Sequence, residues 1–455
     1  MRTGLAAASP FAALGPGGML VVAYLVITRI GALQAAKIGI SIGPVPLFLT
    51  EWFVIAILGV VLVTRGEDFV GWLLTGSTTS WPGLFLWLLL ITSVGYCVAA
   101  VGQWGVLAVR DLAIFGYGVV FPLTYLVLDT AEKATAAIRW STYAGAILAL
   151  SLVGDTASGL HVLFPPLLRG VAGVGDIASF GGGDVGGIIS FSAASLLAYA
   201  ATTAQRRLLH LILAAICLYA VMISQTRSAV IGLALAGFYI FFGARAAVRL
   251  VLIAIIATVL AGAALIPVLL PTSGVAHVLN GFWLTLHSAT GAAQDADAYF
   301  RLLRWGAVID LWKSDPVFGV GFGRPVIPPN LIDLSEVGLF NVGLPHNTYL
   351  TILARLGLFG FLLIAIPWFG SVVVAFLQAQ RLRFGADLFA TGAAMVAMIG
   401  FASFVLFLER PLHAAALWMM AAIAARLSRP QAGTGRSTVS PILHARRIAL
   451  AKGYR

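Results

Sequence analysis

Apolar runs long enough to cross a bilayer recur along the chain, separated by short polar breaks. A span needs roughly 20 apolar residues at about 1.5 Å rise each. That ruler predicts about twelve helices, near 17–35, 45–64, 81–101, 112–129, 138–154, 186–204, 208–224, 228–244, 249–270, 350–378, 386–408 and 411–427. The run 208–244 is broken only by the patch SQTRS at 224–228, which reads as the turn between two short helices. Two outer segments stand out: 155–185, with PPLLRG and the glycine-rich FGGGDVGG, and 271–349, the one long polar segment. A loop of the second length is usually functional or disordered, and its tryptophans and a helical pattern near 299–313 argue against disorder. The expected fold is therefore an all-α polytopic integral membrane protein. It has a membrane domain at 1–270 with about nine helices, a large outer loop with short helices at 271–349, three C-terminal helices at 350–427 and a flexible basic tail at 428–455.

Composition agrees. Hydrophobic residues make up 60% of the 455 positions, charged residues only 10%, and mean hydropathy is +0.99, whereas a soluble globular chain carries roughly a quarter charged residues. An even number of spans puts both termini on one side, and the positive-inside rule says which. With the termini inside, Arg2, Arg65, Lys133, Arg139, Arg206, Arg207, Arg245, Arg249, Arg381, Arg383 and the basic tail all fall on cytoplasmic segments. The net charge of +11 then reads as an insertion signal plus a tail near anionic lipid, with no nucleic-acid partner. Cys97 and Cys217 sit inside apolar runs and read as core filler. The amino-terminal segment lacks the pattern of a removable signal peptide.

The segment LPHNTYLTILARLGLFG at 344–360 sets a histidine and an asparagine at the mouth of an apolar helix. Pro345 suits the first helical position, which would put His346 and Asn347 in the first turn. At about 100° per residue, Gly357 and Gly360 then share the face of His346, and Arg355 lies opposite. Glycines on a membrane helix admit a second backbone closely, so this face is expected to turn inward and carry His346 into an outer cavity. There the helix dipole disfavours imidazolium, and a neutral ring can accept a proton. The plainer alternative, a His and an Asn capping an exposed helix end, stays open.

Several arginines share that side. Arg227 in SQTRSAV adjoins two apolar spans, where a charge is costly unless it faces a cavity or a partner. Arg301 and Arg304 lie at helical spacing with Trp305 and Val308 in YFRLLRWGAVIDLW. Arginine suits planar recognition of phosphate oxygens. Separately these are a structural charge and a solvated face; with His346 they form a candidate site for an anionic headgroup beside a base. Arg110, next to Asp111, and Arg410, next to Glu409, are further candidates for the same cavity, with ion pairing inside each dipeptide as the plainer reading.

In order, SQTRSAV, RLLRWGAVIDLWKSDPVFGVGFG and PHNTYLTILARLGLFG resemble the O-antigen ligase and Wzy-type polysaccharide polymerase superfamily, with His346-Asn347, nine residues, Gly357, two residues and Gly360 matching the ligase pattern. The resemblance covers roughly 220–360. It implies a glycosyltransferase of the bacterial inner membrane, active on the periplasmic face with 271–349 as the catalytic region. It would move a glycan from an undecaprenyl-diphosphate carrier to a glycan or lipid A-core acceptor, without cofactor or metal. Polysaccharide export and chain-length-control proteins are the expected companions. By residue, the resemblance assigns catalysis to His346 as base, with Arg301 (the arginine of R-x-x-x-W) and Arg227 on the diphosphate. Arg304, Asn347, Arg110 and Arg410 are expected to contact substrate.

Other signals are weaker. Asp295-Ala296-Asp297 has the form of a metal-binding D-x-D but sits in an outer loop, where a solvated acidic turn is the simpler reading. GVGFG at 319–323 and GGGDVGG at 181–187 lack the G-K-S/T ending of a phosphate loop and read as tight turns. No histidine pair has the spacing of a helical zinc site. A protein O-oligosaccharyltransferase and a transporter remain alternatives. Transport predicts ionisable groups and interrupted helices near the bilayer midplane, whereas the polar residues here gather at the outer boundary.

Overall fold

The computed structural model describes residues 14–30, 39–42, 45–76, 80–171, 175–180, 182–246, 248–250, 278–283, 296–331, 345–405 and 407–429, with isolated positions between 251 and 270. Apolar helices follow one another in the expected order: α1 (Gly15–Ile30), α2 (Leu49–Thr75), α3 (Trp81–Trp104), α4 (Val106–Val127, with one 3-10 turn inside), α5 (Ala131–Ser158), α6 (Gly182–Thr202), α7 (Arg207–Ser224) and α8 (Arg227–Gly243). After these come α9 (Ala296–Ser314), α10 (Thr348–Gln378), α11 (Gly385–Ala402) and α12 (Pro411–Leu427).

Seven of the described helices are long and apolar enough to span a membrane, and three shorter apolar helices accompany them. The span expected at 249–270 lies almost wholly outside the described residues, so the count of twelve rests on sequence. Helix α2 is not among the seven; its backbone leaves helical geometry at Arg65, where Arg65, Glu67 and Asp68 follow the apolar part.

Two short antiparallel hairpins add to the helical class. β1 (Gly39–Ile42) pairs with β2 (Val45–Phe48), and β3 (Pro166–Val171) with β4 (Gly175–Phe180). The sequence reading merged β2 with the following helix, because short apolar runs of strand and helix look alike. It also took all of 155–185 for a loop. In fact α5 runs to Ser158, and the Asp155 carboxylate accepts the amides of Val162, Leu163 and Phe164 as the chain turns toward β3. The GGGDVGG stretch is no turn either; from Gly182 it is the first turn of α6.

Helices α6 and α11 form the centre: 89% of the most apolar window of each is buried, against 22% for α3. Small residues make this possible, since a Cβ on Gly232 of α8 would lie 2.4 Å from the Ala397 carbonyl of α11. Asp387 is buried here with its charge matched. It accepts from Arg139 Nε at 2.8 Å and Tyr199 Oη at 2.9 Å, joining α5, α6 and α11.

Helix α10 is interrupted at Gly357 (φ 63°, ψ −164°). Breaking a helix in an apolar setting frees backbone groups that must find partners. Segment 316–321 supplies them: Val320 and Gly321 amides donate to Ala354 and Arg355 carbonyls at 2.7 and 3.1 Å, and Leu358 and Phe359 amides donate to Pro316 and Val317 carbonyls at 2.9 and 3.0 Å. A Cβ at Gly357 would meet the Val317 carbonyl at 2.2 Å. The close backbone approach inferred from the glycines is present, and its occupant is the stretch that leads into GVGFG. That motif is a true turn, with left-handed φ at Gly319, Gly321 and Gly323.

Candidate functional site

The site is built around α9. Its 301/305/308 face follows helical spacing, and Val308 is fully buried in a small apolar cluster with Ala354, Val326 and Ile327. Trp305 donates its indole N–H to the Pro345 carbonyl at 2.7 Å, and its ring lies 5.9 Å from that of Phe404. One turn earlier, Arg301 Nη1 donates to the Phe404 carbonyl at 3.2 Å. The helix therefore touches both the residue before His346 and the turn 403–410 between α11 and α12.

Thr348 knits the same elements. Its hydroxyl lies 3.1 Å from both the Val405 carbonyl and Glu409 Oε2 and accepts the Phe407 amide at 2.7 Å, with the side chain fully buried. Burial pushes the Glu409 carboxyl above its ordinary range, only partly offset by the hydroxyls of Thr351 and Thr348. Glu409 does not pair with its neighbour Arg410, as the plainer sequence reading had it. Arg410 Nη1 forms an ion pair with Asp184 Oδ1 in the first turn of α6, and His413 Nε2 stands 3.9 Å from that oxygen, its ring stacked on Phe407 at 5.2 Å.

Asp184 leads to Arg227. Two residues on, Gly186 faces the turn 224–227, where a Cβ would sit 2.4 Å from Ser224 Oγ and 2.6 Å from Thr226 Oγ1. Gln225 takes left-handed φ there, and Arg227, half-buried, opens α8. Contacts thus join Asp184 to Arg410, Arg301 to Phe404 and Trp305 to Pro345 at one end of the bundle, and Arg227 follows the turn that faces Gly186.

His346 itself departs from the expected geometry. It lies outside the helix with φ +52°, rare for a residue with a side chain, and is half-buried. Asn347 is the helix cap: its Oδ1 accepts the Leu350 amide at 3.1 Å. The wheel that set His346 over Gly357 and Gly360 fails for two reasons: α10 begins only at Thr348, and it breaks at Gly357. The capping half of the plainer alternative is correct for Asn347.

Two further candidate arginines have partners within the fold. Arg304 is 2% exposed, donates Nε to the Leu331 carbonyl at 2.9 Å and lies 4.5 Å over the Phe300 ring. It braces α9 against the segment that ends at Leu331, whereas Arg301 reaches Phe404. Arg110 pairs with Asp111 Oδ1 at 3.0 Å, the plainer of its two readings. Asp111 is fully buried and also holds Arg355 Nε at 3.1 Å and the Gly323 amide at 2.7 Å. Arg355 adds bonds to the carbonyls of Arg324 and Gly321. This buried ionic knot pins GVGFG between α4 and α10.

Sequence reasoning passed over Asp184, Glu409 as a partner of Thr348, and the Asp111–Arg355 pair. Arg355, a charge inside an apolar helix, was the available signal for the last. The side chains of Asp295-Ala296-Asp297 lie outside the described residues.

A family model described as O-antigen ligase matches residues 212–365, from within α7 to just past Gly360 of α10. The matched region holds Arg227, α9, the GVGFG turn and the His346 motif. A search of curated proteins finds no match.

Proposed function

We propose, from the premise that residues 212–365 carry an O-antigen ligase domain in a multi-pass membrane protein, that this protein transfers a glycan from an undecaprenyl-diphosphate carrier to a sugar hydroxyl. The observation that carries the reading is the clamp of Trp305 on Pro345, which brings the arginine-bearing helix α9 against the residue preceding His346. Arg301 and Arg227 would hold the diphosphate. As the bond between the anomeric carbon and the phosphate oxygen breaks, negative charge grows on that oxygen, and fixed guanidinium groups stabilise it without reorganisation.

His346 takes the proton of the acceptor hydroxyl while the oxygen bonds to the anomeric carbon. The bond electrons leave with the diphosphate, and the proton rests on the imidazole. The left-handed backbone at His346 supports a functional role, because strain of about 1–3 kcal/mol persists where surrounding structure over-determines it and clusters at active sites. Arg304, Asn347 and Arg110 act by bracing α9, capping α10 and neutralising Asp111, and Arg410 orders the turn 403–410 through Asp184. Metal is not required in this scheme, and the active face is periplasmic.

The interruption of α10 is a feature transporters also use, but there it lines a cavity; here segment 316–321 fills it. The test is reconstitution in liposomes with an undecaprenyl-diphosphate oligosaccharide as sole sugar source. A ladder of lengthening glycans marks a polymerase, a single transfer after adding lipid A-core a ligase, and transfer to an added polypeptide a protein oligosaccharyltransferase. Each product should vanish in His346→Ala. Absence of product with all three acceptors, or full activity of His346→Ala, refutes the assignment.

A further inference from the structure

The hydrogen bonds at Thr348 close only when Glu409 carries a proton. A hydroxyl has one proton to give and two lone pairs with which to accept. Thr348 Oγ1 uses one lone pair on the Phe407 amide at 2.7 Å, and two further oxygens stand within reach of it, the Val405 carbonyl and Glu409 Oε2, each at 3.1 Å. The carbonyl can only accept. An ionised carboxylate can also only accept, and the single hydroxyl proton cannot serve both. With a neutral carboxyl, Oε2 gives its proton to the second lone pair of Thr348, the hydroxyl turns to the Val405 carbonyl, and all three bonds are made.

The direction of that hydroxyl matters to the site because Val405 follows Phe404, whose carbonyl receives Arg301 at 3.2 Å and whose ring lies 5.9 Å from that of Trp305. The surroundings favour the neutral carboxyl. Thr348 is fully buried and Glu409 Oε1 is closed to solvent, and a charge shut away from water is costly unless it is matched. The charged groups that face Glu409 work against each other. Asp111 of α4 opposes its ionisation and Arg355 of α10 favours it, but these two are already paired at 3.1 Å, with Arg110 on the other Asp111 oxygen. Arg410, next in the chain, turns to Asp184 of α6, as does His413 of α12, and Arg301 of α9 donates to the Phe404 carbonyl.

We propose that Glu409 is a positioning residue that acts as a hydrogen-bond donor. Neutral, it turns the Thr348 hydroxyl to Val405 and fixes the turn 403–407 on which Arg301 rests. Ionised, it draws that hydroxyl to itself and frees the Val405 carbonyl. The carboxyl proton goes to solvent in this change, and the Thr348 proton stays on its oxygen and only rotates. Transfer then carries a pH dependence set by a group outside the reacting atoms. The role of Arg301 in this inference rests on the glycosyl-transfer reading; the hydrogen-bond assignment stands apart from it.

The experiment has two arms, both on the full chain in liposomes. Infrared spectra at about pH 6, where an ordinary glutamic acid of pKa about 4.3 is ionised, should show the carbonyl stretch of a neutral carboxylic acid that is lost in Glu409→Gln and shifted in Thr348→Val. In the transfer assay the parent should slow about five- to tenfold on the alkaline side, the size of one hydrogen bond. Glu409→Gln, whose amide N–H is a permanent donor, should keep the acid-side rate without that loss. Thr348→Val should be as slow at every pH as the ionised parent, and Thr348→Ser should restore both the rate and its pH dependence. A parent without the Glu409 band or without the alkaline loss, a band that Thr348→Val leaves unmoved, or a Glu409→Gln protein that keeps the parent's alkaline loss would overturn the proposal. If no acceptor yields product, the glycosyl-transfer reading fails, while the infrared arm still decides whether Glu409 donates to Thr348.

Discussion

Trp305 and Pro345 are joined by a hydrogen bond of 2.7 Å from indole N–H to carbonyl oxygen, across 40 residues of sequence. The bond couples the orientation of His346 to the position of Arg301 one turn away on the same helix. Trp305→Phe keeps the ring that meets Phe404 and removes the donor. A net hydrogen bond is worth about 1 kcal/mol, so transfer by the phenylalanine variant should fall about five- to tenfold with the unfolding midpoint little changed. An unchanged rate would show that the clamp does not position the histidine.

Gly357→Ala should be among the most damaging single-atom additions in the chain. The backbone at Gly357 (φ 63°, ψ −164°) lies in a region that is essentially glycine-only and costs about 1–3 kcal/mol for a residue with a Cβ, and the new carbon would sit 2.2 Å from the Val317 carbonyl. We expect a large drop in Tm and in detergent-stable yield. Gly306→Ala on the open side of α9, where a Cβ meets nothing within 4 Å, should be neutral or mildly stabilising.

Asp111 and Arg355 are both buried, so Asp111→Leu strips the Arg355 guanidinium of its carboxylate, whereas Arg355→Met leaves Asp111 paired with Arg110. Asp111→Leu should cost about 3–5 kcal/mol, Arg355→Met less because Arg110 still answers Asp111, and the double variant less than the sum of the two. A thermal or denaturant double-mutant cycle measures the difference. Additive losses would mean that the pair does not act as a unit.

Two carboxylates should respond to pH with opposite signs. Burial raises Glu409, so its contribution to stability is fully present below its unfolded pKa, about 4.3, and is lost as pH rises through the higher folded value. Glu409→Gln should therefore gain Tm relative to the parent as pH climbs from about 4 toward 7. Burial also opposes ionisation of Asp129, but Lys133 and Arg65 outweigh it and hold the carboxyl below its ordinary range. Its contribution is present above about 3.9 and lost as pH falls through the lower folded value. Asp129→Asn should lower Tm at neutral pH and converge with the parent in acid.

Much of the fold could be read from the chain because span length and hydropathy are local properties. The turn at 224–228, the helical pattern near 299–313 and the starts of the last two helices follow from apolar run lengths, whereas the helix after Pro345 begins only at Thr348, behind the Asn347 cap. The hairpins escaped because four to six apolar residues do not distinguish strand from helix. Glycine spacing announced a close backbone approach, but the partner backbone, 316–321, is not encoded in that spacing.

By itself the sequence determined that this chain crosses a membrane many times, that its polar residues gather near helix ends, and which segments carry the arginines and the histidine. Only the tertiary structure decided which groups they meet. Arg301 meets the turn at Phe404, whereas Arg304, three residues on, donates Nε to Leu331; Arg410 reaches Asp184 instead of Glu409; and His346 leaves the helical wheel by a left-handed step. The physical reason is common to all of these. In an apolar interior each charge and each freed backbone group must find a partner, and those partners lie tens to hundreds of residues away, where no local pattern points to them.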